Sequence, residues 1–150
     1  MIRICFVCLG NICRSTMAEY IMKDLVKKEN LDKKFHIESR GVAADVGCDI
    51  HNGTKKMLDL NNIPYDKHYA RQLNASDYEK FDYFIGMDKY NVLDMKRIFK
   101  KDDKIYKLLD FTKKSKEIDD PWYTHNFNIT YEEIYEGCKA LLTFLKRKDK

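Results

Sequence analysis

Cys8 and Arg14 are the two side chains of this sequence best suited to chemistry on an anion. They belong to the octapeptide Cys8-Leu9-Gly10-Asn11-Ile12-Cys13-Arg14-Ser15, which follows the apolar run 2–7 and precedes an amphipathic stretch. That order predicts a strand, a tight loop and a helix, with successive loop N–H groups pointing inward and a helix dipole adding positive charge. A dianionic oxyanion fits such a concavity, with Cys8 beneath it as a nucleophile and Arg14 gripping two oxygens. The arrangement suits attack of sulfur on a phosphate ester.

The position of Cys8 favours a reactive thiol. A helix N-terminus and a neighbouring arginine stabilise the thiolate form of a cysteine. The Ser15 hydroxyl is placed to donate a hydrogen bond to the sulfur, and it also suits capping of the helix. The residues alone leave one plain alternative, which is a structural Cys8 with a surface Arg14.

A phosphate ester with a poor leaving group also needs an acid, because a phenolate or alkoxide departs slowly unless it is protonated. The candidates are Asp119 and Asp120, in the segment Asp119-Asp120-Pro121-Trp122-Tyr123. An Asp-Pro pair alone usually marks a turn. Here it lies in a long loop, 110–129, and long loops in compact domains are often functional. Pro121 would stiffen the position of the acid, and the two aromatic side chains would stack on a flat substrate.

Strands and helices alternate along the chain. Buried strands are predicted at 2–7, 35–42, 81–87 and 105–109. Helices are predicted from residue 16, over 54–61, from residue 88 to about 99, and after a capping box formed by Thr130 and Glu133. This order predicts an α/β fold in a single domain over residues 1–150, with a doubly wound parallel sheet. Ligands bind beyond the carboxyl ends of the strands in such folds, where Cys8 falls.

Composition excludes several classes of protein. The chain is 44% apolar and 35% charged, with a net charge of +4, and its basic residues are interleaved with acidic ones instead of forming a nucleic-acid patch. We expect no membrane insertion, since no apolar run is long enough, and no signal peptide, since the first strand begins at once. Five cysteines without framework spacing indicate a reducing, cytoplasmic setting. There is no zinc-type cluster, and we expect neither a metal nor a cofactor.

The octapeptide resembles the signature loop of the low-molecular-weight protein tyrosine phosphatases. Three further segments resemble this family at matching places: 70–72 (Ala-Arg-Gln), 81–88 (Phe-Asp-Tyr leading to Met-Asp), and Asp120-Pro121 followed by two aromatics. The similarity runs from residue 2 to about 145, and the octapeptide combined with a late Asp-Pro at this chain length is highly specific.

The resemblance implies a four-stranded parallel sheet flanked by helices, and it implies roles for individual residues. Cys8 would be the nucleophile, Arg14 the phosphate clamp, and Asp120 the general acid and then the base. Asn11 would adopt a left-handed conformation, braced by Ser39 and His68, and Asp88 would orient Arg14. The phosphate-binding and substrate-binding residues would be Leu9, Gly10, Asn11, Ile12, Cys13, Ser15, Trp122 and Tyr123. The substrates would be tyrosine-phosphorylated proteins.

Two features bear on specificity and regulation. The loop 43–48 has no aromatic residue where many family members place one on the rim of the pocket, which bears on substrate preference. Cys13 is either a small packing residue or, as the resemblance implies, a partner that traps oxidised Cys8 as a disulfide, with thiol reductants restoring the enzyme. Oligomeric state has no signal in the sequence.

Three alternatives compete with this interpretation. Arsenate reduction on the same fold relays electrons through further cysteines after the third strand, and residues 81–92 contain none. A non-catalytic phosphoprotein-binding module would not need Cys8, Arg14 and Asp120 together. A phosphocysteine carrier of the sugar-transport type would need neither Arg14 nor Asp120.

Overall fold

A four-stranded parallel sheet in the order β2-β1-β3-β4 forms the centre of the computed structural model, which describes residues 1–148. The strands are β1 (Ile2–Cys8), β2 (Phe35–Gly41), β3 (Tyr83–Gly86) and β4 (Ile105–Lys107). The helices are α1 (Arg14–Lys28), α2 (Asn52–Leu60), α3 (Lys89–Phe99), the short α4 (Pro121–Thr124) and α5 (Phe127–Lys148). The predicted doubly wound α/β architecture is therefore confirmed.

The central strand β1 is buried because helices cover both faces of the sheet. Its residues Ile4–Cys8 are all buried, which explains the unbroken apolar run in the sequence. Ile4, Phe6 and Cys8 belong to the larger core with α1, α2 and α5, whereas Cys5 and Val7 face a smaller core beside α3. Within residues 1–148, no helix has the length and apolar character needed to cross a membrane.

The end of β2 is shaped to receive the loop that follows β1. A Cβ atom at Gly41 would lie 2.7 Å from the carbonyl oxygen of Leu9 and 3.0 Å from the amide nitrogen of Asn11. Only glycine leaves room for that approach. The loop therefore rests directly on the neighbouring strand at the carboxyl edge of the sheet.

Several predicted element boundaries were wrong. The last helix begins at Phe127, ahead of the expected Thr130 start, because the side chain of Asn126 accepts a hydrogen bond from Ile129 N–H at 3.2 Å. A 3₁₀ helix that the list of predicted helices lacks, Ala75–Lys80, begins at a capping box formed by Asn74 and Asp77. The long loop 110–129 holds the short helix α4, with Asp120 as its N-cap.

Candidate active site

The loop between β1 and α1 is fixed from outside through its carbonyl groups. The oxygens of Leu9, Gly10 and Ile12 accept backbone hydrogen bonds at 2.9–3.0 Å from Ala43, Asp45 and His51, in that order. Within the described residues 1–148, the N–H groups of residues 9–13 have no protein acceptor. A loop with its carbonyls tied outward and its N–H groups unused is the arrangement that cradles an anion.

Asn11 gives the loop its shape. Its φ of 60° lies in the left-handed region, which asparagine tolerates better than most residues. Its side-chain nitrogen donates to Ser15 Oγ and to Ser39 Oγ, each at 2.9 Å, and its side-chain oxygen accepts from Arg71 N–H at 2.9 Å. His68 Nε2 lies 2.9 Å from the backbone oxygen of Asn11. Groups from α1, from β2 and from residues 68–71 thus hold this left-handed bend in place.

Glu19 belongs to the same network, although the sequence analysis did not single it out. Its carboxylate accepts from Ser39 Oγ at 2.6 Å and pairs with Lys23 Nζ at 2.6 Å. Glu19 lies four residues after Ser15 on α1, so both side chains lie on one face of the helix. This spacing of four residues is a signal that the sequence contains. Once Ser15 is taken as a site residue, it points to Glu19 as a neighbour on the same helix face.

Cys8 lies at the base of the pocket with little exposure. The residue is 3% exposed, and its sulfur lies 3.0 Å from Ser15 Oγ. Because Ser15 Oγ also accepts from Asn11, its own proton is free to be donated to the sulfur. A bridge therefore runs from the bend at Asn11 to the sulfur at Cys8.

Arg14 connects α1 to the other half of the site. Its Nη1 lies 2.6 Å from Asp88 Oδ2 and 2.8 Å from the carbonyl oxygen of Ile118, and its Nη2 lies 3.5 Å from Asp120 Oδ2. Burial alone would lower the pKa of Arg14. The nearby charges of Cys8 and Asp88 outweigh burial and raise the pKa above its usual value. The guanidinium is therefore permanently charged and held in one orientation.

Asp120 is placed at the mouth by the start of α4. Its Oδ1 accepts from Trp122 N–H at 3.0 Å, while Oδ2 faces Arg14. Asp119 is exposed and forms no ion pair within residues 1–148. Of the two candidate acids, Asp120 is the one that lines the pocket.

The pocket has a volume of about 470 Å³ and is open at one end. Its lining residues are Cys8, Leu9, Gly10, Ile12, Cys13, Arg14, Ala43, Asp45, Cys48, Asp120, Trp122 and Tyr123. Trp122 and Tyr123 stand 54% and 71% exposed on one side, and small or acidic side chains from the loop 43–48 form the other. The rim is therefore aromatic on one side only.

Asn11 and Ser15, which we expected to bind substrate, lie behind the loop. Both are fully buried, and neither side chain lines the pocket. Asn11 has only its backbone N–H to offer an anion, and Ser15 reaches the site through the sulfur of Cys8. Ser39 and His68 are likewise buried behind the loop.

Cys13 shares the pocket with Cys8. Burial raises the pKa of Cys13 to about 12, and the charge of Cys8 adds to the effect, so Cys13 stays a neutral thiol at physiological pH. Cys5 and Cys138 are buried in the core, and Cys48 is exposed at the rim.

Known proteins are similar to this chain in both sequence and structure. Residues 3–150 match the family described as low molecular weight phosphotyrosine protein phosphatase. The chain is 39% identical to low molecular weight protein-tyrosine-phosphatase YfkJ of Bacillus subtilis, over 99% of this chain and 98% of the relative.

Solved structures agree with the sequence match. The crystal structure of YfkJ superposes with a TM-score of 0.96 at 38% identity, covering 100% of this chain and 98% of that one. The low molecular weight protein tyrosine phosphatase SP-PTP of Streptococcus pyogenes gives 0.84 at 41% identity, covering 97% and 93%. A Drosophila arginine phosphatase gives 0.87 at 31% identity, covering 95% and 97%.

The buried His68, which holds the backbone of Asn11, makes the stability of the folded protein depend on pH. Its Nε2 faces the carbonyl oxygen of Asn11, so this nitrogen carries a proton in the neutral ring. Burial lowers the pKa of His68 below its usual 6.5. In the unfolded chain the ring protonates near 6.5, so a fall in pH below that value favours unfolding.

We expect His68→Gln to reduce this pH dependence, because a glutamine amide keeps an N–H donor but does not titrate. The measurement is the free energy of unfolding from urea titrations at about pH 7.5 and about pH 5.5. The wild-type protein should lose more stability between the two values than the variant does. Equal losses in both proteins would show that His68 does not titrate on unfolding.

Proposed function

Because this chain belongs to the low molecular weight phosphotyrosine protein phosphatase family, we propose that Cys8, Arg14 and Asp120 carry out its reaction, the hydrolysis of phosphotyrosine. The observation that supports this most is the geometry around the sulfur. A buried cysteine lies at the base of a loop with unused N–H groups, and a fixed guanidinium and a carboxylate line the same pocket. The enzyme is a metal-independent cysteine phosphatase.

In the first step Cys8 attacks phosphorus and the bond to the phenolic oxygen breaks. The loop N–H groups and Arg14 bind the phosphoryl oxygens and stabilise the charge that spreads over them in the transition state. The hydrogen bond from Ser15 stabilises the sulfur as a leaving group in the second step. The product of the first step is a phosphocysteine.

Asp120 gives its proton to the departing phenol and then takes one from water. The water attacks phosphorus, the sulfur–phosphorus bond breaks, and inorganic phosphate leaves. The N-cap contact with Trp122 N–H holds one carboxyl oxygen of Asp120, which leaves the other directed at the pocket. Asp120 can therefore serve both steps from one position.

The aromatic side of the mouth supports tyrosine as the residue that carries the phosphate. A phosphorylated phenol has a flat ring, and Trp122 and Tyr123 offer flat surfaces beside the entrance. The similar Drosophila protein is named an arginine phosphatase, so the fold alone does not decide between the two leaving groups. Tyrosine-phosphorylated proteins are the substrates that this site fits best.

Cys13 protects Cys8 from irreversible oxidation in this proposal. Peroxide would oxidise the Cys8 thiolate to a sulfenic acid. The Cys13 thiol then attacks that sulfur, the S–OH bond breaks, and the hydroxyl leaves as water with the thiol proton. Both residues line one pocket, and thiol reductants in a reducing cytoplasm would reopen the disulfide.

The acid role of Asp120 is tested by Asp120→Asn. Asparagine is also a good N-cap, so α4 should remain. We expect kcat/KM for phenyl phosphate, which reports the steps up to release of the phenol, to fall by roughly 10²- to 10⁴-fold, the usual contribution of a general acid. The loss in kcat/KM should be much smaller for para-nitrophenyl phosphate, whose leaving group needs no proton, whereas kcat falls for both esters because hydrolysis of the phosphocysteine lacks its base. Steady-state kinetics on both esters provide the comparison.

Asp119→Asn is the matched control, since it removes the adjacent exposed carboxylate, and we expect near wild-type turnover. Equal loss of kcat/KM for both esters in Asp120→Asn, or a loss selective for phenyl phosphate in Asp119→Asn, would reassign the acid. The wild-type enzyme is also assayed on a phosphotyrosine peptide and on the same peptide with phosphoarginine. Preference for phosphoarginine would contradict the proposed substrate.

The redox role is tested by Cys13→Ser. The variant should keep most of its activity, because Cys13 contributes no reacting group to hydrolysis. After peroxide treatment, wild-type activity should return with dithiothreitol, whereas that of the variant should return poorly. Peptide mapping of the oxidised wild-type protein should find Cys8 joined to Cys13. Finding Cys8 joined to Cys48, or equal recovery in both proteins, would refute a protective role.

A further inference from the structure

A second and larger concavity lies at the free edge of the sheet, away from the pocket. It has a volume of about 780 Å³ and is bounded by α3, β4 and α5. We call it the edge groove and define it by Lys89, Lys96, Tyr106, Lys107, Phe144 and Arg147. Within residues 1–148, β4 pairs only with β3, so its other edge has no strand partner in that part of the chain.

The edge groove has more cationic than acidic side chains. Four cations line it, against the two carboxylates of Asp102 and Asp110. Lys107 is already neutralised, because its Nζ lies 2.5 Å from Glu117 and 3.7 Å from Asp110. Within residues 1–148, Lys89, Lys96 and Arg147 form no ion pair. Unpaired cations around a concavity favour an anionic occupant.

Its wall is aromatic as well as charged. The rings of Tyr106 and Phe111 lie 5.7 Å apart, and those of Phe111 and Phe144 lie 5.1 Å apart. All three residues are half-buried, so their rings keep a surface that an occupant could cover. An occupant that contains aromatic side chains would pack here.

The edge strand favours an extended peptide as the occupant. A strand at a sheet edge can offer backbone groups that a peptide matches by β-addition, although in β4 the N–H of Ile105 already donates to the carbonyl oxygen of Asp102 at 3.2 Å. β4 is also parallel to β1, and its carboxyl end lies at the same edge of the sheet as Cys8. The groove also adjoins the residues that hold Arg14. Its lining residue Lys89 directly follows Asp88, which pairs with Arg14. Glu117, which pairs with the lining residue Lys107, directly precedes Ile118, whose carbonyl oxygen accepts from Arg14.

We propose that the edge groove binds an acidic, tyrosine-containing segment of the phosphoprotein substrate while a phosphotyrosine of that substrate occupies the pocket. This rests on the proposed function, because it assigns a second contact to the same substrate. The segment's carboxylates meet Lys89, Lys96 and Arg147, and its aromatic side chains pack on Tyr106 and Phe144. Small aryl phosphates do not reach the groove.

The test compares a long acidic substrate with a small one. The long substrate is a random glutamate–tyrosine copolymer phosphorylated on tyrosine, and the small one is para-nitrophenyl phosphate. In Lys96→Gln/Arg147→Gln we expect KM for the copolymer to rise roughly three- to tenfold, as fits the loss of two exposed charge contacts, with kinetics on the small ester unchanged. The control, Lys33→Gln/Lys56→Gln, removes the same charge from exposed lysines outside the groove and should change neither substrate.

Direct binding supplies a second readout. The wild-type protein, with its pocket saturated by vanadate, is titrated with unphosphorylated copolymer while amide NMR signals are followed. Shifts of Ile105 and Lys107 would support the proposal, and shifts confined to residues 9–13 would overturn it. A KM unchanged in the groove variant, or raised equally in the control, would also overturn it.

Two further outcomes are distinguishable. If the wild-type enzyme hydrolyses neither substrate, the proposed function itself fails, whereas the groove proposal fails alone when both substrates are hydrolysed and the variants behave alike. If sedimentation shows a wild-type dimer that the groove variant loses, the occupant is a second copy of this chain, and the substrate proposal is wrong.

Discussion

The bend at Asn11 is the constraint on which the site depends. A loop that turns its N–H groups toward one point must reverse its backbone within a few residues, and here the reversal places Asn11 at a φ of 60°. Such a conformation costs free energy in a residue other than glycine. The cost is offset by the hydrogen bonds that the Asn11 side chain donates to Ser15 and Ser39 and by the one that its backbone oxygen accepts from His68. An anion-binding surface is thus prepared before any anion arrives.

The same network explains why Ser39 and His68, which lie far from the loop in the sequence, are polar residues in buried positions. Ser39 comes from β2 and His68 from the segment after α2, and both meet a loop near the N-terminus. Arg14 then joins this half to the other, through Asp88 before α3 and Ile118 before the acid. Segments that lie far apart in the sequence therefore meet around the loop that follows β1. Preorganisation of this kind lowers the reorganisation needed in the transition state.

The sequence was most informative where local spacing carries the chemistry. Cys8, Arg14 and the β1–α1 transition could be predicted because one contiguous segment contains them. The family resemblance pointed to Ser39, His68 and Asp88, whose contacts arise only when separate segments fold together. Glu19 was missed because its spacing of four residues from Ser15 was its only local signal, and its partner Ser39 is twenty positions away. The start of α5 was missed because Asn126 caps the helix before the Thr130 pattern begins. The edge groove has no sequence signature, since α3, β4 and α5 form it only by packing.

The most direct test of the central claim is to trap the covalent intermediate. Asp120→Ala enzyme is mixed with para-nitrophenyl phosphate and quenched within milliseconds, and its peptides are analysed by mass. The leaving group needs no acid, whereas hydrolysis of the intermediate lacks its base, so phosphocysteine should accumulate. The account predicts phosphate on the peptide that contains Cys8, and none in Asp120→Ala/Cys8→Ala. Turnover that persists in the double variant, or phosphate found on another residue of the single variant, would contradict it.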